Sequence, residues 1–176
     1  DAVSELKGDR VSLVPFAGAA FLQLPLTADY NTVLSVLSDI RPGVVESQGT
    51  ALNNALAIAA ESLKSGSDQA ERLIVLFSDG EDPSLDFSAV KKLLDENRIK
   101  LAVMPLGSVD GAPVKVGESY LKDERGETVV SRVKKDFFDK AIKELGAFEI
   151  KKSETLSVFI DGFKKKAERE EKSIRF

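Results

Sequence analysis

The amino-acid sequence predicts an α/β fold: a doubly wound, mostly parallel sheet with helices on both faces and one antiparallel hairpin at its edge. Three observations point that way. Apolar runs of strand length alternate with stretches whose apolar residues recur every three or four positions, the order that builds parallel βαβ units. The run Arg72-Leu73-Ile74-Val75-Leu76-Phe77-Ser78 is apolar enough for a strand buried on both faces, and it stops abruptly at Asp79-Gly80. Near the amino end, two strand-like runs stand too close together for a helical crossover, so they should pair as a hairpin.

Taken in order, residues 10–16 read as a strand whose Pro15 should lie near its end, because proline donates nothing to a ladder. Gly18 marks a turn, and residues 21–26 form the second arm, where Pro25 suits an edge. Asp29 is a good cap for a helix that places Tyr30, Val33, Leu34, Leu37 and Ile40 on one stripe and ends at Pro42-Gly43. A second helix, from about Thr50 to Leu63, should bury Leu52, Ala55, Leu56, Ala59 and Leu63, and the turn cluster from Gly66 to Asp68 follows it. The strand ending at Ser78 comes next. Pro83 then fits a first helical position, with Phe87, Val90, Leu93 and Leu94 inward and Asn97 at the carboxyl end.

Ile99 to Leu106 reads as a parallel neighbour of the strand at 72–78. The rhythm breaks from Ser108 to Val133, where Tyr120-Leu121 and Val129-Val130 flank a polar segment and predict a small hairpin insertion at about 108–133. Lys134 to Leu145 returns to helix, with Phe138, Ala141, Ile142 and Leu145 inward and Gly146 as its stop. Ala147 to Ile150 is a short last strand. From Ser153 a final helix aligns Leu156, Phe159, Ile160, Phe163 and Ala167. No internal repeat or low-complexity linker interrupts the chain, so residues 1–176 are expected to form a single domain.

Composition narrows the chemistry. Hydrophobic residues make up 43% and charged residues 31%, ordinary globular usage that indicates neither disorder nor a membrane span. With 25 basic and 29 acidic side chains interspersed, no basic face tracks a phosphate backbone, and nucleic acid is not an expected partner. The densest basic run, Lys164 to Lys166, is followed by Glu168, Glu170 and Glu171, so it reads as a solvated helix face. The chain has 0 cysteines and 0 histidines, which removes thiol and imidazole catalysis and the usual zinc sites. Any metal must therefore be held by oxygen, which suits magnesium, manganese or calcium. A cysteine-free chain is compatible with an oxidising compartment and with the cytosol alike. The opening residues, Asp1 to Gly8, lack a signal-peptide pattern and resemble the last turns of a helix closing on glycine, which suggests preceding polypeptide.

Asp79 is the outstanding candidate residue. It should emerge at the carboxyl edge of the parallel sheet, where open α/β folds bind their ligands, although Asp-Gly is also ordinary turn chemistry after a strand. Glu81 and Asp82 add acids beside it, but acids there would also favour the amino end of a helix starting near Pro83, and that is the reading adopted for them.

Several separated motifs then carry a family resemblance. These are Leu6-Lys7-Gly8-Asp9-Arg10-Val11 with Val14-Pro15-Phe16-Ala17-Gly18, Leu24-Pro25-Leu26-Thr27-Ala28-Asp29-Tyr30, Gly49-Thr50-Ala51-Leu52, and Phe77-Ser78-Asp79-Gly80-Glu81-Asp82. Further matches at Gly117 to Asp123 and Leu145 to Phe148 extend it through nearly the whole chain. The chain resembles a von Willebrand factor type A domain, and more narrowly the bacterial aerotolerance-operon (Bat) branch of that family.

The resemblance implies a metal-ion-dependent adhesion site, where an Asp-x-Ser-x-Ser segment, a threonine and an aspartate hold one divalent cation. An open position on that cation accepts a carboxylate from a protein partner. Thr50 falls on the threonine position and Asp79 on the aspartate position, with Mg2+, Mn2+ or Ca2+ as the implied ion. Thr50 also stands at a helix start, where a capping hydroxyl is common without metal. The Asp-x-Ser-x-Ser segment belongs to the family's first, central strand and does not occur in this chain, so the site is incomplete and the strands at 10–16 and 72–78 lose a neighbour. Self-association through those exposed edges is one expectation.

By resemblance, the function is that of a protein-interaction module, not an enzyme. The full-length protein would be anchored in the inner membrane with this domain facing the periplasm, in a complex linked to aerotolerance or stress and to a MoxR-type ATPase. Two alternatives stand beside it: a metal-independent scaffold, and a magnesium-dependent hydrolase or phosphotransfer domain using Asp79. The second lacks a glycine-rich phosphate loop and a base paired with a nucleophile.

Overall fold

A computed structural model describes residues 6, 8–41, 45, 49–67, 70–117, 119–123, 125–151 and 154–174. The opening helical turns, the Pro42-Gly43 stop, Asp68 of the turn cluster, Glu118 and the Ser153 helix start all fall outside those residues. The fold is α/β, with a mostly parallel sheet and a separate antiparallel hairpin.

The hairpin pairs β1 (Val11–Leu13) with β2 (Leu24–Thr27), with a register irregularity between Val11 and Leu13. Pro15 lies beyond the end of β1, and Pro25 is exposed in β2, where a missing ladder donor costs nothing. Helix α1 (Tyr30–Asp39) packs on this hairpin through the fully buried Val33. Its cap is the expected Asp29, which accepts from the Thr32 amide at 3.1 Å and the Thr32 hydroxyl at 2.7 Å. The Thr32 hydroxyl, and then its amide, hold the Asp29 carboxyl below the ordinary carboxylate range.

The parallel sheet has the order β3 (Arg72–Ser78), β4 (Ile99–Pro105), β9 (Phe148–Glu149), with β4 central. β3 and β4 stay in register over their full length, from Arg72 opposite Ile99 to Ser78 opposite Pro105. One face presents Ile74, Leu76, Leu101 and Val103 to three helices: α2 (Leu52–Lys64), α3 (Phe87–Glu96) and α4 (Lys135–Leu145). On the opposite face Phe148 lies beside Ala102, its ring tilted against Phe159 and edge to face with Phe163 of α5 (Leu156–Ile174). Lys164 of α5 also forms an ion pair with Asp9, just ahead of β1.

Several sequence expectations need correcting. Two-sided burial holds for β4, where Leu101, Ala102 and Val103 are all buried, but not for β3, whose Phe77 is 43% exposed. The reason is position: among the described residues no strand pairs with the outer edge of β3, and its second face is only partly covered. Helix α3 begins at Phe87 behind its cap Asp86, which accepts from the Ala89 amide, so Pro83 lies in the preceding loop. In α4 the inward stripe is Phe137, Phe138 and Ala141, while Ile142 is 37% exposed. In α2 the deepest small residue is Ala60, with Ala59 and Leu63 only partly buried against the core. The expected stops at Asn97 and Gly146 are present, and Gly146 takes the left-handed conformation at φ 66° that favours glycine past a helix end.

Between β4 and α4 the chain makes two nested antiparallel pairings. β5 (Ala112–Pro113) pairs with β8 (Val130–Ser131), and β6 (Lys115–Val116) pairs with β7 (Ser119–Tyr120). The polar tip closes through a bridge between Lys122 and Thr128. This arm stands at the carboxyl end of β3 and β4, and its return strand leads directly into α4.

No backbone ladder joins the β1–β2 hairpin to the parallel sheet among the described residues. Helix α2 packs on both, and Ser62 of α2 shares a 2.9 Å hydrogen bond with Ser12 of β1.

Candidate functional site

A cavity of about 410 Å³ opens at the carboxyl edge of the sheet, between the end of β1 and the end of β3. Thr50 and Asp79, which come from separate loops, both line it. Phe16, Phe77 and Leu106 supply apolar wall, and Phe77 and Leu106 are both exposed.

Thr50 owes its position to its neighbours. The Ala51 amide donates to the Ala17 carbonyl at 2.6 Å, which ties the start of α2 to the segment after β1. The Leu52 amide donates to Asp82 Oδ2 at 3.1 Å, while Asn53 bonds the Ser84 carbonyl and accepts from the Asp86 amide. The loop after β3 is thus stitched to the first turn of α2 through two neighbouring residues, Leu52 and Asn53. Thr50 does not cap that helix: Ala51 occupies the cap position and no side chain there bonds the first turn. The capping alternative for Thr50 is therefore replaced by capping from Asp82, an acid thirty residues further on that is only 6% exposed. No hydrogen bond engages the Thr50 hydroxyl among the described residues.

Asp79 is held on both carboxylate oxygens. Oδ1 accepts from the Glu81 amide at 3.1 Å, the local turn chemistry expected of Asp-Gly, and Oδ2 accepts from the Ser131 hydroxyl at 2.7 Å. Its carbonyl accepts from the Lys134 amide at 2.8 Å. A carboxylate offers about four lone-pair sites, so two remain for a further ligand. Just upstream, the Ser78 hydroxyl accepts from the Gly80 amide at 3.0 Å and sets the turn. Glu81 faces outward and pairs with Lys134 at 3.3 Å, and Asp82 serves α2 rather than the amino end of α3. Neither lines the cavity.

The donors around the cavity are all oxygen: the Thr50 hydroxyl, the Asp79 carboxylate and the Ser131 hydroxyl. They suit a hard cation of the magnesium type, which keeps several waters and needs few protein ligands. No group of three or more His, Cys, Asp or Glu side chains is clustered to hold a metal among the described residues. The donors present thus fit part of a hard-cation shell.

Ser131 draws no notice in the sequence, and Asp82 is assigned there to the amino end of the helix expected near Pro83. Each acts on a residue far away along the chain, 52 positions for Ser131 with Asp79 and 30 for Asp82 with Leu52. No local pattern marks such a pairing.

An open α/β sheet with an oxygen-lined cavity at its carboxyl edge, fed by loops after successive strands, defines a ligand-binding class and not yet a family. The comparisons supply the family. The family profile described as von Willebrand factor type A domain matches residues 1–81. The crystal structure of an aerotolerance-related membrane protein from Bacteroides fragilis NCTC 9343, with multiple mutations to serines, is 31% identical. That match covers 90% of this chain and 78% of that one, at a TM-score of 0.76. The conserved hypothetical protein BatB from Bacteroides thetaiotaomicron is 27% identical, covering 97% of this chain and 83% of that one, at a TM-score of 0.80. Among curated proteins nothing matches. The chain belongs to the von Willebrand factor type A domain family, in its Bat-type branch. No helix among the described residues is long and apolar enough to cross a membrane.

Proposed function

We propose that the chain is a protein-interaction module in which Thr50 and Asp79 help hold one divalent cation, Mg2+, Mn2+ or Ca2+, whose open coordination position takes a carboxylate from a partner protein. The observation that carries this reading is the shared cavity: a threonine and an aspartate with spare lone pairs line the same opening. When bound, the cation supplies the attraction for the partner's carboxylate. The chain's own residues fix its place, because the bonds from Ala51 and Leu52 brace Thr50 and those from Glu81, Ser131 and Lys134 brace Asp79.

The same reading assigns no enzymatic role. It takes the full-length protein as anchored in the inner membrane with this domain on the periplasmic side, working in a complex tied to aerotolerance or stress and to a MoxR-type ATPase. Its support is the Bat-type family and the description of one relative as an aerotolerance-related membrane protein. A Thr50→Ala, Asp79→Ala double variant of the whole natural polypeptide should bind Mn2+ on the order of 100-fold more weakly by titration calorimetry. It should also lose cation-dependent co-purification of its partner while keeping its circular dichroism. Unchanged binding and capture would leave a metal-independent scaffold as the better description.

A second reading concerns the outer edge of β3, which has no partner strand among the described residues and where the exposed Phe77 leaves room for strand addition. A second copy of the chain is the occupant considered. Sedimentation at micromolar concentration is expected to show concentration-dependent dimers that Phe77→Lys weakens. A compact monomer over the whole range would remove this reading.

A further inference from the structure

We infer that Ser131, carried by the return strand of the 108–133 arm, is a further oxygen ligand of the same cation and couples the arm to its occupancy. The inference rests on the cation reading above. Ser131 lines the cavity together with Thr50 and Asp79, and its hydroxyl donates to Asp79 Oδ2 at 2.7 Å. A hydroxyl that gives its proton to a carboxylate keeps both oxygen lone pairs, and the accepting oxygen keeps one. The two oxygens can therefore serve one ion without breaking the bond between them.

The 2.7 Å separation of Ser131 Oγ and Asp79 Oδ2 is an ordinary hydroxyl-to-carboxylate hydrogen bond, and it lies close to the spacing of about 2.9 Å between neighbouring oxygens of an octahedral ion with bonds of 2.0–2.1 Å, so the two oxygens can share one ion.

Among the described residues the base of the arm meets this loop through the Lys134 amide on the Asp79 carbonyl at 2.8 Å and the Lys134–Glu81 ion pair at 3.3 Å. Within the arm, β8 pairs with β5 through Ala112 with Ser131 and Pro113 with Val130, and the Val133 amide bonds the Ser108 carbonyl at 3.1 Å. An ion that gathers Asp79 and Ser131 fixes the base of the arm from both strands, since β5 follows β8 through their ladder. The arm also carries the exposed Val109 and Tyr120.

The test uses the whole natural polypeptide and three variants, with Mn2+ titrations and hydrogen exchange over residues 112–131. Ser131→Ala is expected to bind Mn2+ about tenfold more weakly and to lose the slowing of exchange that Mn2+ causes in the arm. Ser131→Thr, which keeps the hydroxyl, should restore both. If Ser131→Ala binds like the unmodified protein while Asp79→Ala abolishes binding, the role of Ser131 is wrong and the cation site stands. If the unmodified protein binds no Mn2+, both fall. Weakened binding that Ser131→Thr fails to restore, with a lowered urea midpoint, would reduce Ser131 to a packing contact and overturn the inference.

Discussion

Replacing Asp82 by alanine is expected to destabilise the protein by about 2–4 kcal/mol, seen as a drop of about 1–2 M in the urea midpoint. Asp82 is only 6% exposed, and its two oxygens accept three hydrogen bonds: from the Leu52 amide, the Ser84 amide and the Ser84 hydroxyl. The first bond caps α2 from a loop outside the helix, so its loss strands a donor in the buried first turn, where Leu52 itself is fully buried. Asp82→Asn keeps one acceptor oxygen and should lose roughly half as much. Because the same bond holds the residue two places beyond Thr50, the alanine variant should also weaken Mn2+ binding without removing any ligand. An unchanged urea midpoint would show that water replaces Asp82 at no cost.

Gly80→Ala should cost a similar amount, about 2–4 kcal/mol, by a different route. Gly80 has φ 82°, a conformation that penalises any residue with a Cβ by about 1 kcal/mol. An added methyl would also lie 2.9 Å from Phe138 Cε2 and 3.1 Å from Phe137 Cβ. Those rings meet edge to face at 5.2 Å, Phe137 also leans on Phe87 at 5.8 Å, and both are buried, so the methyl has no space to enter. Overpacking of this kind adds about 1–3 kcal/mol. The expected signature is a lowered thermal midpoint, altered near-ultraviolet circular dichroism from the phenylalanine cluster, and a displaced Asp79 next door. A midpoint within about 2 °C of the parent would mean that the loop moves aside freely.

What could be read from the sequence followed the range of the forces involved. The extent of β3, the Asp29 cap of α1, the Asn97 end of α3 and the Gly146 stop of α4 are set by residues within one helical turn of the feature they control. The same local logic misplaced the start of α3 at Pro83. It assigned Asp82 to the nearest helix downstream, whereas tertiary folding spends that carboxylate on α2 and leaves Asp86 as the α3 cap. Burial on both faces of β3 was read from its apolar run, but burial depends on what lies alongside a strand, and among the described residues β3 has a partner strand on one side only. In α4 the helical period placed Phe138 inward, as it is, and allowed Ile142 inward too; the contact with the Gly80 turn draws in Phe137 in place of Ile142. The sequence singles out Thr50 and Asp79 because each sits in a motif of its own, and both line the same opening. Nothing local singles out Ser131, whose bond to Asp79 forms only when the arm folds back onto the loop after β3.

Among the described residues the β1–β2 hairpin and the parallel sheet share no ladder; they meet by packing on α2 and by two bonds at its start, Ala51 to Ala17 on one side and Leu52 to Asp82 on the other. Thr50 therefore stands where both halves are sewn to the same helix. Under the proposed cation reading, an ion held by Thr50 and Asp79 would add a further stitch there, and added Mn2+ would slow amide exchange at the start of α2.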